Sequence, residues 1–140
     1  DMDVFEKMKI IYQACLDSSM ELKRQEAMNS FNEQQQSALI HQKFAQVIIS
    51  KMQPILTDIF LQGIEEGKIC CVYPQETARI VLIILTITLD NYLVPISHEQ
   101  IRKTLSAFAQ MQEKSMEIPQ NTLGFLSQKR QEMAADESKG

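Results

Sequence analysis

Three observations predict an all-α protein. Apolar residues recur at three- and four-residue steps through most of the chain, the spacing of amphipathic helices. Only four Gly and four Pro occur among abundant Leu, Ile, Met, Gln, Glu and Lys. The one run that could be a buried strand, around Ile80 to Leu89, finds no partner strand elsewhere in the sequence. A chain of 140 residues is long enough to bury a real core in one domain. The expected architecture is a bundle of about five or six helices.

The first helix opens at Asp3-Val4-Phe5-Glu6, which has the form of a capping box. Val4, Met8, Ile11, Cys15 and Leu22 follow at helical spacing, with Tyr12 and Leu16 widening the stripe. The pattern weakens at Ser18-Ser19 and returns from Met20 to Phe31; Asn32 to Gln36 reads as a polar loop or frayed end. From Ser37 to Gly67 the periodicity is strong, through Ile40, Phe44, Val47, Ile48, Met52, Ile55, Ile59, Phe60 and Ile64. Pro54 removes a backbone donor and crowds the preceding turn, so a kink or break is expected near Gln53. The next helix, about Pro74 to Val94, is apolar on all sides and must be covered on all sides. One face then meets the domain core and the other a second subunit. Val94-Pro95 ends it, and Ser97-His98-Glu99-Gln100 opens another capping box. Ile101, Leu105, Phe108, Ala109 and Met116 form the stripe of that helix, which Pro119 stops. Leu123, Phe125 and Leu126 dock as a short final segment, and residues 127–140 are expected to be a polar, mobile tail.

The connection between the second and third helices is the most specific stretch. Gly67 is placed to be the left-handed residue that ends a helix. Gly63 lies four residues earlier on the same face, where it costs about 1 kcal/mol relative to Ala unless a close approach requires it. Pro74 suits a first helical turn, with Glu76 near its positive end. An apolar helix ending in Gln62-Gly63-Ile64-Glu65-Glu66-Gly67, then a short loop, then Pro74-Gln75-Glu76-Thr77-Ala78 and a long apolar helix, resembles the C-terminal regulatory domain of TetR-family transcriptional repressors. The resemblance runs from about Ala38 to Tyr92. It implies that residues 1–126 bind an effector and dimerise. It also implies that DNA is contacted only through an N-terminal helix-turn-helix domain, and nothing in this chain looks like one. The chain is therefore expected to be the sensing half of a larger regulator.

Composition narrows the function classes. A net charge of −4 argues against this piece gripping nucleic acid by itself. Three cysteines, Cys15, Cys70 and Cys71, two of them adjacent, make no disulfide framework and point to a reducing cytoplasm. The all-apolar run is far short of the ~20 residues of a membrane span, so a soluble protein with no membrane role is expected. His41 and His98 have no second ligand at helical spacing, and Glu65-Glu66 diverge around the helix. No metal-spaced cluster, phosphate-binding loop or nucleophile elbow occurs. No enzyme, metal or cofactor is expected.

Binding remains. Tyr12, Gln53, Asp58 and Gln62 interrupt apolar stripes, and Thr86, Thr88, Asp90 and Asn91 end the apolar helix. A few polar groups in an apolar cavity orient a small ligand. A small apolar or amphiphilic effector would enter between the first helix, the Pro54 helix and the inner face of the third. The candidate pocket residues are Tyr12, Cys15, His41, Phe44, Ile48, Met52, Ile55, Thr86 and Asn91. The resemblance implies a homodimer formed by the third and fourth helices as a four-helix bundle. Candidate contacts are Ile80, Ile84, Ile87, Leu105, Phe108 and Gln112, repeated on both subunits by the twofold. The other reading is a helical dimerisation or adaptor module that docks a protein partner and senses no small molecule.

Overall fold

A computed structural model describes residues 2–27, 34–87 and 97–128. They form α1 (Val4–Ala27), α2 (Gln34–Glu65), α3 (Pro74–Ile87), α4 (His98–Ser115) and α5 (Phe125–Gln128), with no strand among the described residues. α2 and α3 run along each other, α1 packs on both, and α5 closes on α4 and α1. The all-α class is as expected.

Local chemistry sets the ends. Asp3 accepts the Phe5 N–H at 3.0 Å through its carboxylate and the Lys7 N–H at 3.1 Å through its carbonyl. Both halves of the Ser97–Gln100 capping box form. Pro74 is the first residue of α3. α1 runs unbroken through Ser18-Ser19, and α2 begins at Gln34, inside the expected loop. α2 also continues through Pro54 without a break. A mid-helix proline costs about 3 kcal/mol, but Leu56, Ile59 and Phe60 are buried directly after it. Their burial holds the helix together. The expected helix end at Val94-Pro95 and residues 129–140 of the expected tail lie outside the described residues; Ser127 and Gln128 belong to α5.

The core takes one stripe from each helix. α1 supplies Val4, Met8, Tyr12, Cys15 and Leu16; α3 supplies Ala78, Val81, Leu82 and Leu85; α4 supplies Ile101, Leu105, Phe108 and Ala109. Met116, Ile118, Leu123 and Leu126 close the far side. There Glu113, itself buried, accepts the Leu123 N–H at 2.9 Å. α2 is different. At 32 residues it is about 48 Å long; its buried core residues, Leu56, Ile59 and Phe60, all lie in its C-terminal half, with Ile48, Ile49 and Met52 packed at the core's edge. The segment Gln42–Glu65 is long and apolar enough to cross a membrane, yet only 17% of its most apolar stretch is buried inside the chain.

The α2–α3 turn ties these helices. Gly67, at φ 75°, sits in the left-handed region. Its N–H donates to Ile64 O at 3.1 Å and that of Lys68 to Gly63 O at 2.8 Å. This is the paired closure of a Schellman motif. Gly63 is bare because Ile69 folds back onto it. A Cβ there would collide with Cδ1 of Ile69 and lie 2.7 Å from its Cγ1. The Ile69 N–H also donates to Gly63 O at 3.1 Å, and the Cys70 N–H reaches Met116 O of the α4 end at 2.9 Å. Lys68 Nζ meets Asp3 Oδ1 at 2.7 Å.

These contacts separate the two glycines. Gly63→Ala gains about 1 kcal/mol of helix propensity but overpacks Ile69, for a net loss of about 1–2 kcal/mol in urea denaturation. Gly67→Ala, with open space around it, loses about 1 kcal/mol from backbone strain alone. Adding Ile69→Val to Gly63→Ala should recover part of the loss, whereas the same change leaves the Gly67→Ala deficit in place.

Candidate functional site

Among the described residues, two recesses flank α2. The larger, about 660 Å³, is a cleft between α2 and α3 centred on Pro54. Ile49, Pro54 and Ile83 form its apolar walls, and Gln46, Ser50, Gln53, Thr57 and Gln75 line it with amide and hydroxyl groups. Asp58 and Arg79 put one charge of each sign on it. Pro54 has no N–H to offer the Ser50 carbonyl, and the Thr57 hydroxyl donates back to Gln53 O at 2.6 Å. Both features loosen a helix ladder locally, here along the wall of the cleft. Gln53 Nε2 donates to the Gln75 carbonyl at 3.1 Å, joining α2 to the first turn of α3. Cavities of ~300–1,000 Å³ with apolar walls and a few placed polar groups suit drug-sized ligands. The cleft can hold an amphiphile, its apolar part on Ile49 and Ile83.

The smaller recess, about 370 Å³, lies between α1 and α2 and is walled by Ile10, Ile11, Ile55 and Ile59. Lys7 Nζ donates to Gln62 Oε1 at 2.7 Å across it. Asp58 lines both recesses.

The residues expected to line a pocket are mostly elsewhere. Tyr12 is fully buried and its hydroxyl donates to Gln112 Oε1 at 2.7 Å. Burial pushes the Tyr12 phenol up, and pushes the Cys15 thiol from 9.0 up to about 11. Thr86 is buried, its hydroxyl donating to Leu82 O at 2.9 Å and Ile83 O at 3.1 Å of its own helix. Phe44, Ile48 and Met52 are half-buried on α2. Ile55 is exposed and lines the smaller recess. The side chains of His41 and Ile87, and all of Asn91, lie outside what the structure describes. Gln53 and Asp58 of the larger cleft, and Gln62 of the smaller, are polar interruptions that periodicity alone picks out. Gln46, Ser50, Gln75 and Arg79 gave no such signal.

The expected dimer contacts divide in two. Ile80 is 56% exposed and Ile84 half-buried, so the outer side of α3 is uncovered in the single chain. Leu105, Phe108 and Gln112 instead face inward; they are buried against the chain's own core, with Gln112 held by Tyr12. Within one chain they offer no surface to a second subunit. The outward side of α4 carries Lys103, Ala107, Met111 and Lys114.

Cys70 is exposed and Cys71 half-buried. Hydrogen bonding to Glu117 raises the Cys70 pKa, which disfavours its thiolate. The Cys71 thiol donates to the Thr77 hydroxyl at 3.3 Å.

The model of the family described as "Tetracyclin repressor-like, C-terminal domain" matches residues 18–111, about two thirds of the chain. No curated protein matches it. Tyr12 and Gln112 lie just outside the two ends of the matched segment, so their hydrogen bond fastens those ends together.

That bond and the buried thiol are separately testable. Tyr12→Phe leaves the Gln112 amide oxygen without its partner and should cost about 1–3 kcal/mol by denaturant titration; Gln112→Leu added to it should cost little more. Cys15 keeps its proton in the folded state up to about pH 11 but releases it near 9.0 when unfolded. Its contribution is therefore complete below pH 9 and lost as pH rises toward 11. Cys15→Ala should flatten the fall in melting temperature across that window.

Proposed function

The chain belongs to the tetracyclin repressor-like C-terminal domain family, a family of regulator rather than enzyme domains, and we propose that it is the ligand-sensing and dimerising part of a cytoplasmic transcriptional regulator. The observation that carries the sensing half is the α2–α3 cleft, with Ile49, Pro54 and Ile83 as walls and Asp58 and Arg79 on its lining. Its effector is a small, largely apolar molecule with a polar or charged end. We place it here rather than in the interior around Tyr12 and Cys15, where the Tyr12 hydroxyl is already paired with Gln112 and both side chains are buried.

The mechanism is a population shift. An effector changes the balance between two arrangements only by binding one of them better. One seated between α2 and α3 favours the arrangement in which Pro54 and Gln75 stand at the separation it needs. α1 packs on both helices and leads toward the N-terminus. A shift of α2 against α3 would thus be passed to a DNA-reading domain attached there, and would change the spacing of two such domains in a dimer. The uncovered Ile80 side of α3 is the proposed site of that pairing.

A thermal-shift screen of the chain against alkyl ammonium salts, fatty acids and polycyclic aromatic dyes tests the sensing role. Binding should raise the melting temperature with ligand concentration, the folded state gaining about 2.7 kcal/mol at a hundred times Kd. Ile83→Glu should weaken that binding at least tenfold, and Ile11→Glu in the smaller recess should not. A panel without effect, or a shift that Ile83→Glu leaves intact, contradicts this assignment.

A further inference from the structure

The outer face of α2 is left over by the core and meets the cleft only along one edge, at Pro54 and Asp58. Stepping by three and four residues from Lys43 through Val47, Lys51, Pro54, Asp58 and Leu61 to Glu65 traces one side of the helix. Every one of these residues is exposed. Val47 is 50% and Leu61 46% exposed, one apolar residue on each side of Pro54.

The charges on this helix are sorted by sign. From Gln34 to Gln53 α2 contains no Asp or Glu, and from Pro54 to Glu65 it contains no Lys or Arg. The helix dipole favours the reverse order, with acids near the N-terminus and bases near the C-terminus. There is no acid in the first turn and no base in the last. Nor does the chain neutralise them: among the described residues, Lys43, Lys51, Asp58 and Glu65 have no ion-pair partner. The helix alone gives no reason for this arrangement.

A second copy does. Val47 and Leu61 lie seven positions either side of Pro54, Lys43 and Glu65 eleven, and Lys51 and Asp58 three and four. A twofold axis through Pro54 superposes each of these residues on its complement: base on acid, apolar on apolar. A parallel pair would put Lys on Lys and Glu on Glu, which is costly. We propose that the outer face of α2 is a self-association surface, on which a second copy of the chain lies antiparallel about a twofold axis at Pro54. This contact is separate from pairing through α3, and it borders the cleft at Pro54 and Asp58. With both in place the chain assembles beyond a dimer.

The test uses two half-swapped variants of the full chain, their folding checked by circular dichroism. Lys43→Glu with Lys51→Glu makes the face wholly acidic, and Asp58→Lys with Glu65→Lys makes it wholly basic. In sedimentation at low salt, each alone should associate at least about tenfold more weakly than wild type and stop at half its mass. Mixed together, the two should regain the wild-type mass, because an acidic face meets a basic one. Variants that keep the wild-type mass, or that stay small when mixed, overturn the proposal. So does a wild-type chain that matches the variants in mass but pellets with phosphatidylglycerol vesicles, which would give the face to a membrane.

Discussion

The missing side chain at Gly63 is the constraint on which the rest of the arrangement depends. It lets Ile69 lie against α2, so the chain can reverse within the Schellman turn and send α3 back along the helix it has just left. The same few residues then reach two other helices. Lys68 holds Asp3 at the start of α1, and the Cys70 N–H holds the Met116 carbonyl at the end of α4. The ion pair is exposed and worth little by itself. The backbone bonds and the seating of Ile69, 3% exposed, are what hold the turn.

From that turn α2 runs outward as a spine with three different sides. Its C-terminal half gives Leu56, Ile59 and Phe60 to the core. One flank, loosened at Pro54 and tethered by Gln53 to Gln75, forms the cleft with α3. The outer face carries sorted charges around an apolar stripe. Among the described residues, much of the outer side of this helix is exposed. That surface is where we propose that a ligand and a second copy bind, with Pro54 where the two meet.

What the sequence reveals follows the range of the interaction. The helix ends at Gly67, Pro74 and Ser97 were readable because each depends on the chemistry of a few adjacent residues. The core stripes of α1, α3 and α4 were readable because periodicity marks an apolar face. Periodicity does not say what covers that face. Leu105, Phe108 and Gln112 form as good a stripe for a partner as for the core, and the core has them. Tyr12 and Gln112 are a hundred positions apart, so nothing local announces their bond. The cleft was hidden for a related reason: Gln46, Ser50, Gln75 and Arg79 look like solvated helix residues until α3 folds back beside α2.

Native-state hydrogen exchange at single-residue resolution tests the central role of the turn. Gly67, Lys68, Ile69 and Cys70 lie in a connection between helices, where amides ordinarily exchange fast. If the turn is the knot of the fold, their N–H groups, bonded to Ile64, Gly63 and Met116, will exchange as slowly as those of Leu56 to Phe60 in the core of α2 and open only with global unfolding. Exchange at loop rates, with the core of α2 still protected, would show that the helices pack without the turn and would contradict the account.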